Sequence, residues 1–297
     1  MNIFYSREAL RMIVLFLALF PLAVSPTLYT VVDNHWLGSE AAYDYWIVNN
    51  FQWGKEIIQN IGPLGFIHFP LSFTGYLDYE NALTNFALSG ILVILVIYIS
   101  SLFPSKIAGI IFLSLFAFFN SAKKAIVFSM SSEVNHYLLP LLIAYFLFLS
   151  PPYLVICFLL VTLAAMSLGK GMFLFVSPMI VGMVALHFLL QKKTFLSLII
   201  MFVYIFSVVV FWVLAGQDIV NFYNFVRGSI AFSHGYNDSM TKFDTLLPLI
   251  MTCVLFFIIC TKVIVAKNWS NIKHISNAEI VSRGMLAFIE MFILFAA

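Results

Sequence analysis

The chain has 297 residues, of which 63% are hydrophobic and 9% charged, and its formal net charge is +2. Soluble domains are roughly half apolar and a quarter charged, so this composition excludes a soluble fold. The sequence contains no basic stripe of the kind that follows a phosphate backbone, so we expect no nucleic acid among its partners.

Apolar runs long enough to cross a bilayer recur along the chain, beginning after Arg7 and Arg11 with a run that we interpret as an uncleaved first helix. A hydrocarbon core about 30 Å thick requires about 20 apolar residues per helix. We therefore predict an all-α integral membrane protein, a polytopic bundle of about nine transmembrane helices (roughly 8–10) in one domain. The third and fourth runs are short, so tilted, re-entrant or interrupted helices are alternatives there. The predicted spans are 10–32, 83–103, 106–120, 137–150, 153–169, 172–190, 195–215, 245–266 and 284–297.

The distribution of lysine and arginine predicts the orientation of the chain. With Arg7 and Arg11 in the cytoplasm, alternation of the spans places Lys106, Lys192 and Lys193 there as well. Most acidic residues then fall on the opposite face. We predict a multi-pass protein of a cell inner membrane, with a cytoplasmic N-terminus and its functional face outside the cytoplasm.

Two loops on the outer face are long enough to build a site, at about 33–82 and 216–244. Ala41–Phe51 and Ile219–Ile230 each read as an amphipathic helix that lies in the headgroup layer. The aromatic residues expected to anchor the first loop among the headgroups are Phe51, Trp53 and Phe66.

Two acidic residues of the first loop are candidate general bases. Asp33 follows the first span directly, in "VVDNHW" beside His35, where a carboxylate at the membrane edge can accept a proton from a sugar hydroxyl. Asp44, on the predicted interfacial helix, is the second candidate. The alternative is that Asp33 marks the end of a helix and that Asp44 only solvates a polar face.

Three cations are candidate phosphate ligands. Lys170 lies between two glycines in "LGKGMF", where the backbone can approach a ligand closely. Arg227 carries the planar fork that suits phosphate, and Lys55 lies in the first loop. The alternative for Lys170 is an interfacial lysine that extends to water. The histidines lack HxxxH or HExxH spacing and no nucleotide-binding motif occurs, so we predict neither a metal nor a cofactor.

Three motifs resemble, in matching order, signatures of an uncharacterised set of bacterial multi-pass proteins related to the GT-C membrane glycosyltransferases. "FQWGKEIIQNIGPLGFIHFP" at 51–70 is similar to their "FGKDIIFTYGPLGFL". "FVRGSIAFSHGYNDSM" at 225–240 is similar to "YLRGSLEISSGYSEAM", and "MSLGKGMFLFV" at 166–176 to "LIKGTFLLL". The chain departs from the signatures at "QNIGPLG" and stops in what resembles span nine, so we expect a C-terminus shortened relative to the family.

The resemblance implies a helical bundle, a polyprenyl-phosphate-sugar donor and an aspartate in the first loop as the base. Asp33 matches the acid of the family's "DPSW", with an offset that leaves Asp44 as a rival. We expect an inverting glycosyltransferase that acts on an envelope glycan or lipid acceptor and has membrane lipids as partners. The alternatives are a transporter or flippase for a lipid-linked or amphipathic substrate, and an O-antigen-type polymerase or ligase. The predicted site residues are Asp33 and Asp44 as catalytic groups and Lys170, Arg227, Lys55 and His35 as substrate or phosphate ligands.

Overall fold

The computed structural model describes residues 2–24, 42–43, 45–59, 61–67, 78–103, 105–126 and 131–239. Within these ranges the regular secondary structure is helical and no β-strand forms; short 3-10 turns occur at Gly65–Ile67 and Ile219–Asn221. The helices are α1 (Asn2–Ala23), α2 (Asp78–Ser101), α3 (Lys106–Ile126), α4 (Ser131–Phe148), α5 (Tyr153–Ser167), α6 (Gly171–Leu190), α7 (Thr194–Leu214) and α8 (Phe222–Ser239).

Three of the described helices are long and apolar enough to cross a membrane: Ala82–Ser101 of α2, all of α6 and all of α7. The apolar parts of α3, α4 and α5 are shorter. The outward face of α7 is apolar along its whole length, because large side chains stay exposed at every turn from Phe195 to Leu214. A soluble protein rarely exposes so large an apolar surface to water, whereas a helix in contact with lipid does. The described part of the chain is therefore that of a membrane protein. The prediction of nine spans is untested.

The helices form two groups that meet in the middle of the bundle. α5, α6 and α7 pack against one another, while α2 packs against α1, α3 and α4. α4 also contacts α6 and so joins the groups. A Cβ on Gly109 of α3 would lie 2.7 Å from the backbone oxygen of Ser100, so the small residue lets α3 approach the end of α2 closely.

The two ends of the bundle are distinguished by the helix ends and connections that they contain. Ring contacts bring together the last turns of α2, α4 and α6, through Tyr98 and Phe146 at 4.7 Å and Phe148 and His187 at 5.1 Å. This end, the lysine end, also carries the residues that follow those turns, Lys106, Lys192 and Lys193. The other end carries the α5–α6 connection, Leu168–Lys170, and the end of α7; it is called the docking end below.

The predicted spans of the described region agree with α2 to α7 to within a few residues at most boundaries. The third and fourth spans are continuous helices, α3 with 21 residues and α4 with 18. At 1.5 Å per residue α3 is about 31 Å long, but only Lys106–Phe118 is apolar, a length of about 20 Å that is shorter than the hydrocarbon core. The first helix begins at Asn2 rather than near residue 10. The predicted spans 245–266 and 284–297 lie outside the described residues.

Candidate functional site

Residues 51–59 and 61–67, together called the docked loop, pair with the connection between α5 and α6. The backbone N–H of Gly62 donates to the oxygen of Gly169 at 3.1 Å, and that of Leu64 donates to the oxygen of Leu168 at 3.1 Å. Ile61 and Lys170 form an isolated antiparallel bridge. The turn "GPLG" is therefore fixed to the start of α6 by main-chain hydrogen bonds.

Two glycines of this turn permit the close approach. A Cβ on Gly62 would overlap the backbone oxygen of Leu168. A Cβ on Gly65 would lie 2.8 Å from the ring of Tyr43, whose hydroxyl donates to the oxygen of Pro63 at 2.8 Å. The short side chains of "GPLG" are thus required by packing against backbone and ring atoms.

Trp53 is the centre of the docked loop rather than a headgroup anchor. Its side chain is 0% exposed, and its indole N–H donates to the oxygen of Ile61 at 2.8 Å. The rings of Tyr43 and Trp46 lie edge-on to it at 5.8 and 6.3 Å. The prediction that Trp53 lies among lipid headgroups is wrong, because the ring is enclosed by protein.

The predicted interfacial helix of the first loop is short. Residues 42–43 and 45–48 are helical, and a turn at Asn49–Asn50 ends the segment, with Asn50 at φ 55°. Tyr45 and Val48 are exposed. Phe51 is half-buried and its ring lies 5.8 Å from that of Tyr45.

α7 ends in a turn that places Gln217 in contact with the docked loop. Gly216 has φ 72°, its N–H donates to the oxygen of Val213 at 2.9 Å, and the N–H of Gln217 donates to that of Trp212 at 3.2 Å. This is the Schellman pattern, in which a glycine in the left-handed conformation ends a helix. The chain then reverses, and the indole N–H of Trp212 donates to the oxygen of Asp218 at 2.9 Å.

Gln217 and Gln52 clasp the two loops reciprocally. The side-chain oxygen of Gln217 accepts from the N–H of Trp53 at 2.8 Å, and its amide donates to the oxygen of Phe51 at 3.2 Å. In return, the amide of Gln52 donates to the oxygen of Gly216 at 3.0 Å, and its oxygen accepts from the N–H of Asp218 at 2.9 Å. Each side chain supplies the donor and the acceptor that the other loop's backbone needs. We call this pair the glutamine clasp.

The docked loop also lies directly on α8. Gly54 has φ 82°, and a Cβ on it would overlap the backbone oxygen of Asn221 and lie 2.5 Å from the nitrogen of Phe225. Further along, a Cβ on Gly228 would lie 2.9 Å from the side chain of Ile58. The loop and the helix therefore meet backbone to backbone.

The structure brings together the segments that carry the three predicted cations. Lys170 is half-buried and occupies the N-cap position of α6, while Lys55 and Arg227 are exposed on the docked loop and on α8. Lys55 follows Gly54 at the contact with α8, and Lys170 pairs with the docked loop through its backbone. The N-terminus of α6 adds the positive end of a helix dipole beside Lys170.

The acidic candidates and one ligand candidate are not placed by the structure. Asp33, His35 and Asp44 lie outside the described residues, so their predicted roles are untested. Among the described side chains, no group of three or more His, Cys, Asp and Glu is arranged to hold a metal ion.

No pattern in the sequence marks Gln52 and Gln217 as a pair. They are 165 positions apart in the chain, and a glutamine in a loop has no periodic signal. Gly216 followed by a polar residue was a usable signal for the end of α7, because a left-handed glycine is common at that position. The identity of the partner loop had no local signature.

The comparisons with known proteins give no relative for the chain. No family model matches it, and neither a curated protein nor a solved structure does. The resemblance of the three motifs therefore stands on the sequence alone.

Proposed function

We propose that the protein is a GT-C-type membrane glycosyltransferase. It transfers a sugar from a polyprenyl-phosphate-linked donor to a glycan or lipid acceptor of the cell envelope. The reaction takes place at the docking end, on the extracytoplasmic face of an inner membrane, with the N-terminus in the cytoplasm.

One observation carries the proposal: the segments of the three family-like motifs are in contact at one end of the bundle. The docked loop bonds to Leu168 and Gly169 and lies on α8. Motifs that form one site are expected to lie in contact, and these three do. Lys55, Lys170 and Arg227 come from all three segments, as a phosphate-binding site built from several loops requires.

The charges of the bundle ends support the orientation. Lys106, Lys192 and Lys193 occupy the lysine end, where short connections follow the last turns of α2 and α6. Short cytoplasmic loops carry an excess of lysine and arginine. The docking end also carries cations, namely Lys55, Lys123, Lys124, Lys170 and Arg227, but it includes the longer loops and both Glu56 and Asp218, and we assign it to the extracytoplasmic face.

In the proposed reaction, an acceptor hydroxyl attacks the anomeric carbon and displaces the polyprenyl phosphate with inversion. Asp33, or Asp44 in its place, takes the proton of the hydroxyl. Lys170 and Arg227, with Lys55, stabilise the negative charge that grows on the departing phosphate; such stabilisation is usually the largest catalytic contribution. His35 is assigned to the donor.

The apolar helices weigh against an ion-coupled transporter. α5, α6 and α7 contain no Asp, Glu, Lys or Arg. Transporters commonly place ionisable groups near the middle of the membrane, where they bind substrate or coupling ions. Charged residues occur only beyond the ends of these three helices.

The test is transfer of a radiolabelled sugar from polyprenyl-phosphate donors to envelope acceptors, in membranes that contain the protein or a variant. We expect Asp33→Asn to abolish transfer and Lys170→Ala to lower it by roughly 10²- to 10³-fold. Lys192→Ala at the lysine end is the matched control and leaves transfer unchanged.

The result for Lys170→Ala can be interpreted because this substitution leaves the docked loop in place. Lys170 contacts the docked loop through its backbone, so removing the side chain leaves that bridge in place. Full transfer by both Asp33→Asn and Asp44→Asn would refute the proposed bases. Absence of transfer from the inserted wild-type protein with every donor would refute the proposed function.

A further inference from the structure

The first turns of α8 are amphipathic, with opposite faces in different surroundings. The buried face, Asn221, Phe225 and Ser229, recurs every four residues and faces the docked loop and the end of α7. The exposed face consists of Tyr223, Asn224, Arg227, Ile230 and Ala231. Arg227 is thus flanked, one turn to either side, by an exposed tyrosine and an exposed isoleucine.

This exposed face follows the lipid-facing end of α7 in the chain, and the two elements are packed together. Trp212 holds the two elements together, because its ring packs on Phe222 at 5.1 Å and on Phe225 at 5.2 Å. Beyond the buried contact, apolar side chains stay exposed from the last turns of α7 through the 3-10 turn into α8. These are Val213 (55% exposed), Leu214 (75%), Ile219 (50%), Val220 (81%) and Tyr223 (71%).

The exposed face of α8 carries one positive charge, that of Arg227. Arg227 is exposed, and it forms no ion pair with any residue in the described part of the chain. An arginine between apolar neighbours binds phosphate through its two parallel N–H donors while its stem covers apolar surface. The combination matches a molecule with a phosphate at one end and hydrocarbon at the other.

We propose that the exposed face of α8 and the adjoining end of α7 form the surface on which a phosphate-headed lipid binds from the bilayer. Its phosphate lies against Arg227 and its chain lies along Val220 and Leu214. That this lipid is the sugar donor rests on the proposed function. The proposed surface adds the side of the bundle from which the lipid arrives and the residues that receive it.

The experiment uses the full chain in nanodiscs with a photo-crosslinking amino acid in place of Tyr223. The discs contain phosphatidylcholine with small, equal amounts of phosphatidic acid and diacylglycerol, which differ in the phosphate. We expect crosslinked phosphatidic acid to exceed diacylglycerol by roughly three- to fivefold, the range of a partly exposed charge pair. Arg227→Gln removes the preference, Arg227→Lys keeps part of it, and Val220→Asn lowers the yield of both lipids.

A crosslinker in place of Tyr153, 70% exposed at the start of α5, is the matched control and shows no dependence on Arg227. If inorganic phosphate in solution reduced the crosslinking as strongly as added phosphatidic acid did, the site would bind free phosphate and the proposed lipid surface would be refuted. An unchanged preference in Arg227→Gln, or crosslinks only to residues 240–297 of the same chain, would also refute it. The readout requires no turnover, so an inactive protein that still shows the preference would refute the proposed function and leave this inference standing.

Discussion

Gly54 combines a left-handed φ with close contact to the backbone at the start of α8, and replacing it by alanine tests how the docked loop is held. Two costs arise in Gly54→Ala. The φ of 82° is unfavourable for a residue with a Cβ, by about 1–2 kcal/mol. The new Cβ also overlaps the backbone oxygen of Asn221, and only movement of the loop away from α8 relieves this.

Movement of the loop breaks the glutamine clasp. Its hydrogen bonds join Gln52 to Gly216 and Asp218, and Gln217 to Phe51 and Trp53. A hydrogen bond contributes about 0.5–1.5 kcal/mol net. Strain and the four lost bonds together predict that docking of the loop weakens by about 3–8 kcal/mol.

Trypsin cleavage after Lys55 in detergent-solubilised protein measures the opening, because cleavage follows the open population when reclosing is fast. We expect the rate to rise at least about a hundredfold in Gly54→Ala, since 1.36 kcal/mol corresponds to a tenfold change. Gly216→Ala separates the two costs, because Gly216 has φ 72° but no atom within 4 Å of an added Cβ. It should raise the rate by roughly tenfold.

Gly182→Ala is the control, since an added Cβ there has no neighbour within 4 Å and the residue lies inside α6. Its cleavage rate should equal that of the wild type. Equal rates in Gly54→Ala and Gly216→Ala would refute the reasoning, because the contact with α8 would then contribute nothing to docking.

Further substitutions test the clasp, the lipid-facing helix and a turn at the lysine end. Gln217→Glu replaces an amide that donates to the oxygen of Phe51 by a carboxylate that cannot, so unfolding in an SDS titration should require less free energy by about 1–3 kcal/mol; an unchanged midpoint would contradict the clasp. Ile205→Asp places a charge at the centre of the exposed face of α7 and should reduce insertion by about 3 kcal/mol in a glycosylation-mapping assay, whereas normal insertion would exclude a lipid-facing α7. Lys192, with φ 62°, occupies the left-handed position after α6, so Lys192→Gly should raise thermal stability by about 1 kcal/mol, and a loss would argue against that turn.

The helices of the described region could be predicted because membrane spans have a strong local signal. α5, α6 and α7 are uninterrupted apolar runs bounded by polar or turn residues, and their ends fall within two residues of the prediction. Lys170 and Arg227 were singled out because a charge near an apolar span is rare, and their role as phosphate ligands stays a prediction.

The interior of the docking end could not be predicted in the same way. Trp53 and Tyr43 are amphipathic rings, and a ring suited to the headgroup layer is equally suited to a protein core with one hydrogen bond. Gln52 and Gln217 satisfy backbone groups of a distant segment, so their partners depend on how the helices bring the loops together. Such contacts follow from the assembled bundle, whereas a local pattern describes one element.

The junction between the docked loop and the start of α6 consists of main-chain atoms: Gly62 with Gly169, and Leu64 with Leu168. A junction of this kind does not depend on which side chain stands at position 170. A substitution at position 170 can therefore change the side chain at the start of α6 while the main-chain pairing with the docked loop stays the same. Descendants of this chain could exchange Lys170 for another group and acquire a different substrate preference without first having to reinvent the loop that surrounds it.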